Sequence, residues 1–82
     1  MAIQSFGDTV LKELFEKGTI RKKIPWKGLR KIVARKLDML HYVQVLNDLR
    51  SPPGNRLELL KGDLRGLYSI RINDQWRIIF EW

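Results

Sequence analysis

Arg71 and Arg77 are the residues whose type and spacing best suit chemistry. They stand on either side of Asn73-Asp74-Gln75, where Ile70, Ile72, Trp76, Ile78, Phe80 and Trp82 recur at a period of two. That period marks half-buried strands, and two such runs joined by a short Asn/Asp segment read as a β-hairpin. Ser69 and Arg71 then project from the opposite face of the first strand and Arg77 from that of the second. Like charges facing each other on a sheet are unfavourable unless they share an anion. A nucleic-acid phosphate is such an anion. Two guanidinium groups can orient a scissile phosphate and stabilise the charge that grows on it during displacement. Glu58, Lys61 and Arg65 precede the hairpin closely; each taken singly reads as ordinary surface polarity.

The remaining inventory is narrow. There is one histidine, His41, and no cysteine, so no metal site, cofactor or disulfide is expected. A lone helical histidine is far more often a packing or surface residue than a ligand. The serines lack a neighbouring base, and no glycine-rich phosphate loop is present. Asp63, Asp74, Glu58 and Glu81 are scattered, and nothing in their spacing forces two carboxylates together.

The elements that position these residues follow from pattern. Residues 3–6 suit a short first strand. Asp8 or Thr9 caps a helix with Val10, Leu11, Leu14 and Phe15 on one face, and Gly18 ends it. A basic connector leads to Pro25, which suits the start of a second helix carrying Leu29, Val33, Leu37 and Leu40, and reaching Val43. Residues 46–49 read as an apolar turn and Ser51-Pro52-Pro53-Gly54-Asn55 as a loop. Leu57, Leu59 and Leu60 open a strand that ends at Lys61-Gly62-Asp63, before the terminal hairpin. Strand, helix, helix and then antiparallel strands is an α+β plan in a single domain spanning residues 1–82.

A chain of 82 residues buries little more than ~60% of its unfolded surface, so its stability margin is thin. No apolar run approaches a membrane span, and residues 1–6 lack the features of a signal peptide, so a cytoplasmic protein without a membrane partner is expected. The net charge of +7 is unevenly placed. Residues 17–36 hold nine basic and no acidic residues, whereas residues 37–82 hold six of each. The bland reading of the basic stretch is a solvated helix face; the functional one is contact with a polyanion.

Three segments carry a resemblance: Pro52-Pro53-Gly54-Asn55-Arg56-Leu57-Glu58, Leu60-Lys61-Gly62-Asp63, and Tyr68-Ser69-Ile70-Arg71-Ile72-Asn73-Asp74-Gln75-Trp76-Arg77-Ile78. Together they strongly resemble the HigB toxins, the plasmid-maintenance "killer protein" branch of the RelE/ParE superfamily. Ile3-Gln4-Ser5-Phe6 and Leu14-Phe15-Glu16 match as well. The resemblance implies a RelE-like α+β domain, with two helices on a mainly antiparallel sheet. It implies a metal-independent, ribosome-dependent mRNA endonuclease that cleaves message in the ribosomal A site. It also implies a HigA-type antitoxin with a helix-turn-helix domain. Arg71 and Arg77 fall where the superfamily contacts the scissile phosphate. Lys61 and Arg65 fall in the segment lining the RNA face. Glu58 stands where some members have a catalytic histidine, and is the third candidate catalytic residue. Arg30, Lys31 and Arg35 of the basic stretch are expected to meet ribosomal RNA. Full-length relatives continue into one more strand, commonly ending Asp-Tyr-His, and this chain ends before it. Alternatives are a degenerate toxin that binds antitoxin without cutting, and a ParE-like inhibitor of gyrase. An exposed sheet edge also favours a homodimer.

Overall fold

Asp8 starts the first helix in the computed structural model, which describes residues 3, 6–20 and 23–82. Its carboxylate accepts hydrogen bonds from the backbone N–H groups of Val10 (2.8 Å) and Leu11 (3.3 Å), donors that the first helical turn leaves without partners. Helix α1 spans Thr9–Lys17 and ends at Gly18, whose φ of 71° lets its N–H close on the Leu14 carbonyl at 2.9 Å. Leu14 is buried from the predicted stripe. The second helix, α2, spans Arg30–Tyr42. It begins later than Pro25 suggests because residues 24–29 close i→i+3 bonds instead: Lys27 N–H to Ile24, and Leu29 N–H to Trp26. Val43 lies outside it. Val33, Leu37 and Leu40 form the buried stripe, and α1 packs against α2.

His41 is a packing residue. Its Nδ1 accepts a hydrogen bond from the Ile3 N–H at 3.1 Å, and its ring lies 5.1 Å from that of Phe15. Phe15 in turn meets Phe6 at 5.7 Å. Ile3 and Phe6 are not in a strand; the rest of the predicted first strand, Gln4 and Ser5, lies outside the described residues. So do Arg21 and Lys22 of the basic connector. These elements belong to one compact unit, Met1–Tyr42; a second comprises Val43–Trp82.

In the second unit, a 3-10 turn at Leu46–Arg50 buries Leu49. The proline loop is organised by Asn55, which is fully buried and donates through Nδ2 to the carbonyls of Leu49 (3.0 Å) and Ser51 (3.4 Å). The Ser51–Pro52 peptide is cis, and Arg56 adopts a left-handed conformation with φ 45°. Strand β1 is only Glu58–Leu59. The predicted strand ends early because Gly62, at φ 69°, opens a 3-10 turn at Gly62–Leu64. Strands β2 (Tyr68–Arg71) and β3 (Arg77–Phe80) complete an antiparallel sheet of order β1-β2-β3.

Ile70 pairs with Ile78 and both are buried, while Tyr68 and Phe80 stack at 5.9 Å. Asn73 builds the turn: its side-chain oxygen accepts from the N–H groups of Gln75 and Trp76, each at 2.9 Å. The Ile72 N–H closes on the Trp76 carbonyl. The fold is thus α+β, with two α-helices and a three-stranded antiparallel sheet among the described residues. No helix among the described residues is long and apolar enough to cross a membrane.

Candidate functional site

The hairpin register decides the site. Arg71 lies directly opposite Arg77, and Glu58, Ser69 and Ile79 form the adjacent row across the three strands. Side chains alternate along a strand, so Glu58, Ser69, Arg71, Arg77 and Ile79 share one face, with Tyr68, Ile70, Ile78 and Phe80 on the other. Cβ atoms of opposed residues lie ~5 Å apart, close enough for two guanidinium groups to straddle one phosphate.

The structure changes the electrostatic argument. Each arginine already holds a carboxylate of its own. Arg71 pairs through Nη2 with Asp74 in the turn. Arg77 pairs through Nη1 with Glu58 of β1 at 3.5 Å, and the same nitrogen donates to Ser69 Oγ at 3.3 Å. Like charges therefore coexist across β2 and β3 without an outside anion, because each is neutralised from its free side. Both carboxylates are accessible: the Asp74 side chain is 96% exposed and that of Glu58 57%, against 25% for Arg71 and 40% for Arg77. Ion pairs this exposed contribute little stability, and another anion can displace them.

Of the residues predicted from sequence, Glu58, Arg71 and Arg77 are brought together. Lys61 and Arg65 are not joined to them. They are exposed on the connection that follows β1, beyond Tyr68, whereas Arg71 is at the other end of β2. Arg30, Lys31 and Arg35 are exposed on α2, in the first unit. Arg30 and Lys31 sit in its first turn, where no acidic residue offsets the positive end of the helix dipole. Next to Arg35, Lys36 is half-buried; loss of hydration, and secondly the Arg35 charge, lower its pKa below the ordinary lysine value.

Two members of the site were missed. Ser69 was legible as a neighbour of Arg71 on the same face, but nothing in the alternation says that it meets Arg77. Asp74 read only as a turn residue, although its i+3 spacing from Arg71 across a tight turn is the signal for the pair it makes. Among the described residues no three His, Cys, Asp or Glu side chains gather as metal ligands. On the reverse face of the sheet, Leu59 and Tyr68 join Leu46, Asn47, Arg50 and Leu57 around an open hollow of about 400 Å³.

Comparison with known proteins gives the chain a family. Residues 4–82 match the family model of the RelE-like toxin of the type II toxin–antitoxin system HigB. The chain is 43% identical to Toxin HigB-1 of Vibrio cholerae serotype O1 over 82 residues, covering all of this chain and 84% of that toxin. It is 44% identical to an uncharacterized protein of Haemophilus influenzae over 79 residues, which are 96% of this chain and 77% of that protein. A match over nearly the whole length shows that the chain belongs to the HigB-like family, the RelE-like toxins of type II toxin–antitoxin systems.

Proposed function

We propose that this toxin is an endoribonuclease that cleaves mRNA on the ribosome, with Arg71, Arg77 and Glu58 at the cleavage site. The observation that carries this reading is the opposed pair Arg71 and Arg77 on an exposed face, with the Glu58 carboxylate against Arg77. A message phosphate enters between the guanidinium groups, replaces Asp74 on Arg71, and occupies the Nε–Nη2 edge of Arg77, whose charge it neutralises so that Glu58 is released from Nη1. The guanidinium N–H groups of Arg71 and Arg77 then hold its non-bridging oxygens and stabilise the extra charge of the pentacovalent state. The released Glu58 carboxylate accepts the proton of the adjacent ribose 2′-hydroxyl. The 2′-oxygen bonds to phosphorus, and the bond to the 5′-oxygen breaks. That oxygen takes a proton from water, leaving a 2′,3′-cyclic phosphate and a free 5′-hydroxyl. The arginines stabilise the charge, so the step is written without a metal. Lys61 and Arg65 contact RNA beyond the scissile phosphate, and the α2 cations Arg30, Lys31 and Arg35 contact ribosomal RNA.

A type II toxin has an antitoxin partner, and a HigA-type protein with a helix-turn-helix domain is the proposed one. The test is expression without antitoxin, followed by mapping of message ends on ribosomes. Wild type should arrest growth and leave in-frame cuts, and Arg77→Ala should abolish both. A second reading, a toxin that binds its partners without cutting, draws on the internal ion pairs, which already occupy both arginines. Tight ribosome and antitoxin binding without any cut would establish that reading instead.

A further inference from the structure

We infer that Ser69 is a positioning residue for Arg77: its buried hydroxyl fixes the guanidinium so that the outer edge faces a phosphate, and keeps it there when Glu58 leaves. The inference rests on the cleavage reading for its consequence, but not for its geometry. Ser69 has no exposed surface. A buried hydroxyl oxygen needs a partner, and Arg77 Nη1, at 3.3 Å, supplies it. Arginine can only donate, so the serine oxygen is the acceptor. The other hold on Arg77 is weaker. The Glu58 contact is longer, at 3.5 Å, and that carboxylate is more than half exposed.

Both contacts fall on the same nitrogen, Nη1. The Nε–Nη2 edge therefore remains for the two oxygens of a phosphate, the geometry in which an arginine binds most tightly. Glu58 is charged and gives up its contact when a phosphate arrives or when it takes a proton. Ser69 is neutral and part of the central strand, so its contact persists through both events. A long side chain with only the exposed ion pair would turn freely at that moment.

The test uses the full-length toxin with Ser69→Ala, which removes only the hydroxyl and leaves the backbone pairing with Glu58 and Ile79. Thermal melting checks that the variant is folded. In single-turnover cleavage on ribosomes, kcat should fall about tenfold while KM for ribosomes is unchanged, as expected for loss of one hydrogen bond to a charged group at the reacting phosphate. Ser69→Thr, which keeps the hydroxyl, should restore most of the rate. A second readout needs no activity. In NMR spectra of the free protein, the Arg77 Nη resonances should be resolved in wild type and averaged by rotation in Ser69→Ala. A folded Ser69→Ala with wild-type kcat overturns the inference. If wild type binds ribosomes without cutting, the cleavage reading fails, and the NMR comparison decides: Arg77 resonances unchanged by Ser69→Ala overturn the positioning role.

Discussion

If Arg71 holds the message phosphate as proposed, Asp74 competes with RNA for it. Asp74 is almost fully exposed, and its pairing with Arg71 spans only the hairpin turn. Asp74→Asn should leave the fold intact, because it is Asn73 that accepts from the turn's backbone N–H groups. It should also tighten binding of a short RNA oligonucleotide several-fold, measured by fluorescence anisotropy. Unchanged affinity would show that Arg71 does not meet the phosphate. The sequence made the two arginines legible because strict alternation fixes which face every strand residue takes. A one-residue slip would have reversed all of them. Their partners were not legible. Alternation gives a face, but not the direction in which a long arginine leans; that depends on which acceptor lies within reach across a neighbouring strand or turn.

Asn55 shows the same limit at the scale of an element. Pro52, Pro53 and Gly54 announce a loop, yet the residue that organises it is the buried Asn55 amide reaching back to Leu49 and Ser51. Asn55→Ala should cost about 2 kcal/mol in urea unfolding, since the buried Leu49 carbonyl and the part-buried contact to Ser51 both lose their donor. Helices are legible in the sequence where caps and stripes are strong: Asp8, Gly18, and the row Val33, Leu37, Leu40. The start of α2 was read less well, because a proline permits a helix start without compelling one, and 3-10 bonds over residues 24–29 satisfy the same donors. Strand β1 is shorter than the leucines at 57, 59 and 60 suggest, because they carry period without length and Gly62 turns the chain first. Helix α2 also carries a pH dependence. The folded-state pKa of Lys36 is lowered, so below it the folded state bears a charge it disfavours. As pH rises through the folded value towards the unfolded one, the folded chain binds fewer protons and gains stability. Lys36→Met should therefore be more stable than wild type at neutral pH, and the gap should close at alkaline pH in parallel urea titrations.

Over the molecule as a whole, charge divides by unit: residues 1–42 hold ten basic and four acidic residues, and residues 43–82 six and five. Arg30 and Lys31 in the first turn of α2 oppose the helix dipole. Arg30→Glu with Lys31→Glu should raise unfolding stability by roughly 1 kcal/mol in total, yet weaken ribosome binding in sedimentation assays. Stability and binding moving in opposite directions is the signature of a surface kept for a partner; both falling together would leave only a structural role. The internal ion pairs of the hairpin have a further consequence. The site behaves as a loaded ion exchanger. On the proposed reading, an RNA phosphate arriving at Arg71 or Arg77 would release its own condensed cations, but the evicted Asp74 or Glu58 would recruit cations in their place. Net release at this face is smaller than its count of arginines implies. A cation without an internal carboxylate should instead contribute its full share, ~0.7 of an ion per phosphate on a single strand. Plotting the logarithm of RNA affinity against that of salt concentration, Arg35→Ala should flatten the slope more than Arg71→Ala, even though Arg71→Ala should cost more cleavage on the proposed reading. In Asp74→Asn the exchange is gone, and Arg71 should recover the missing slope.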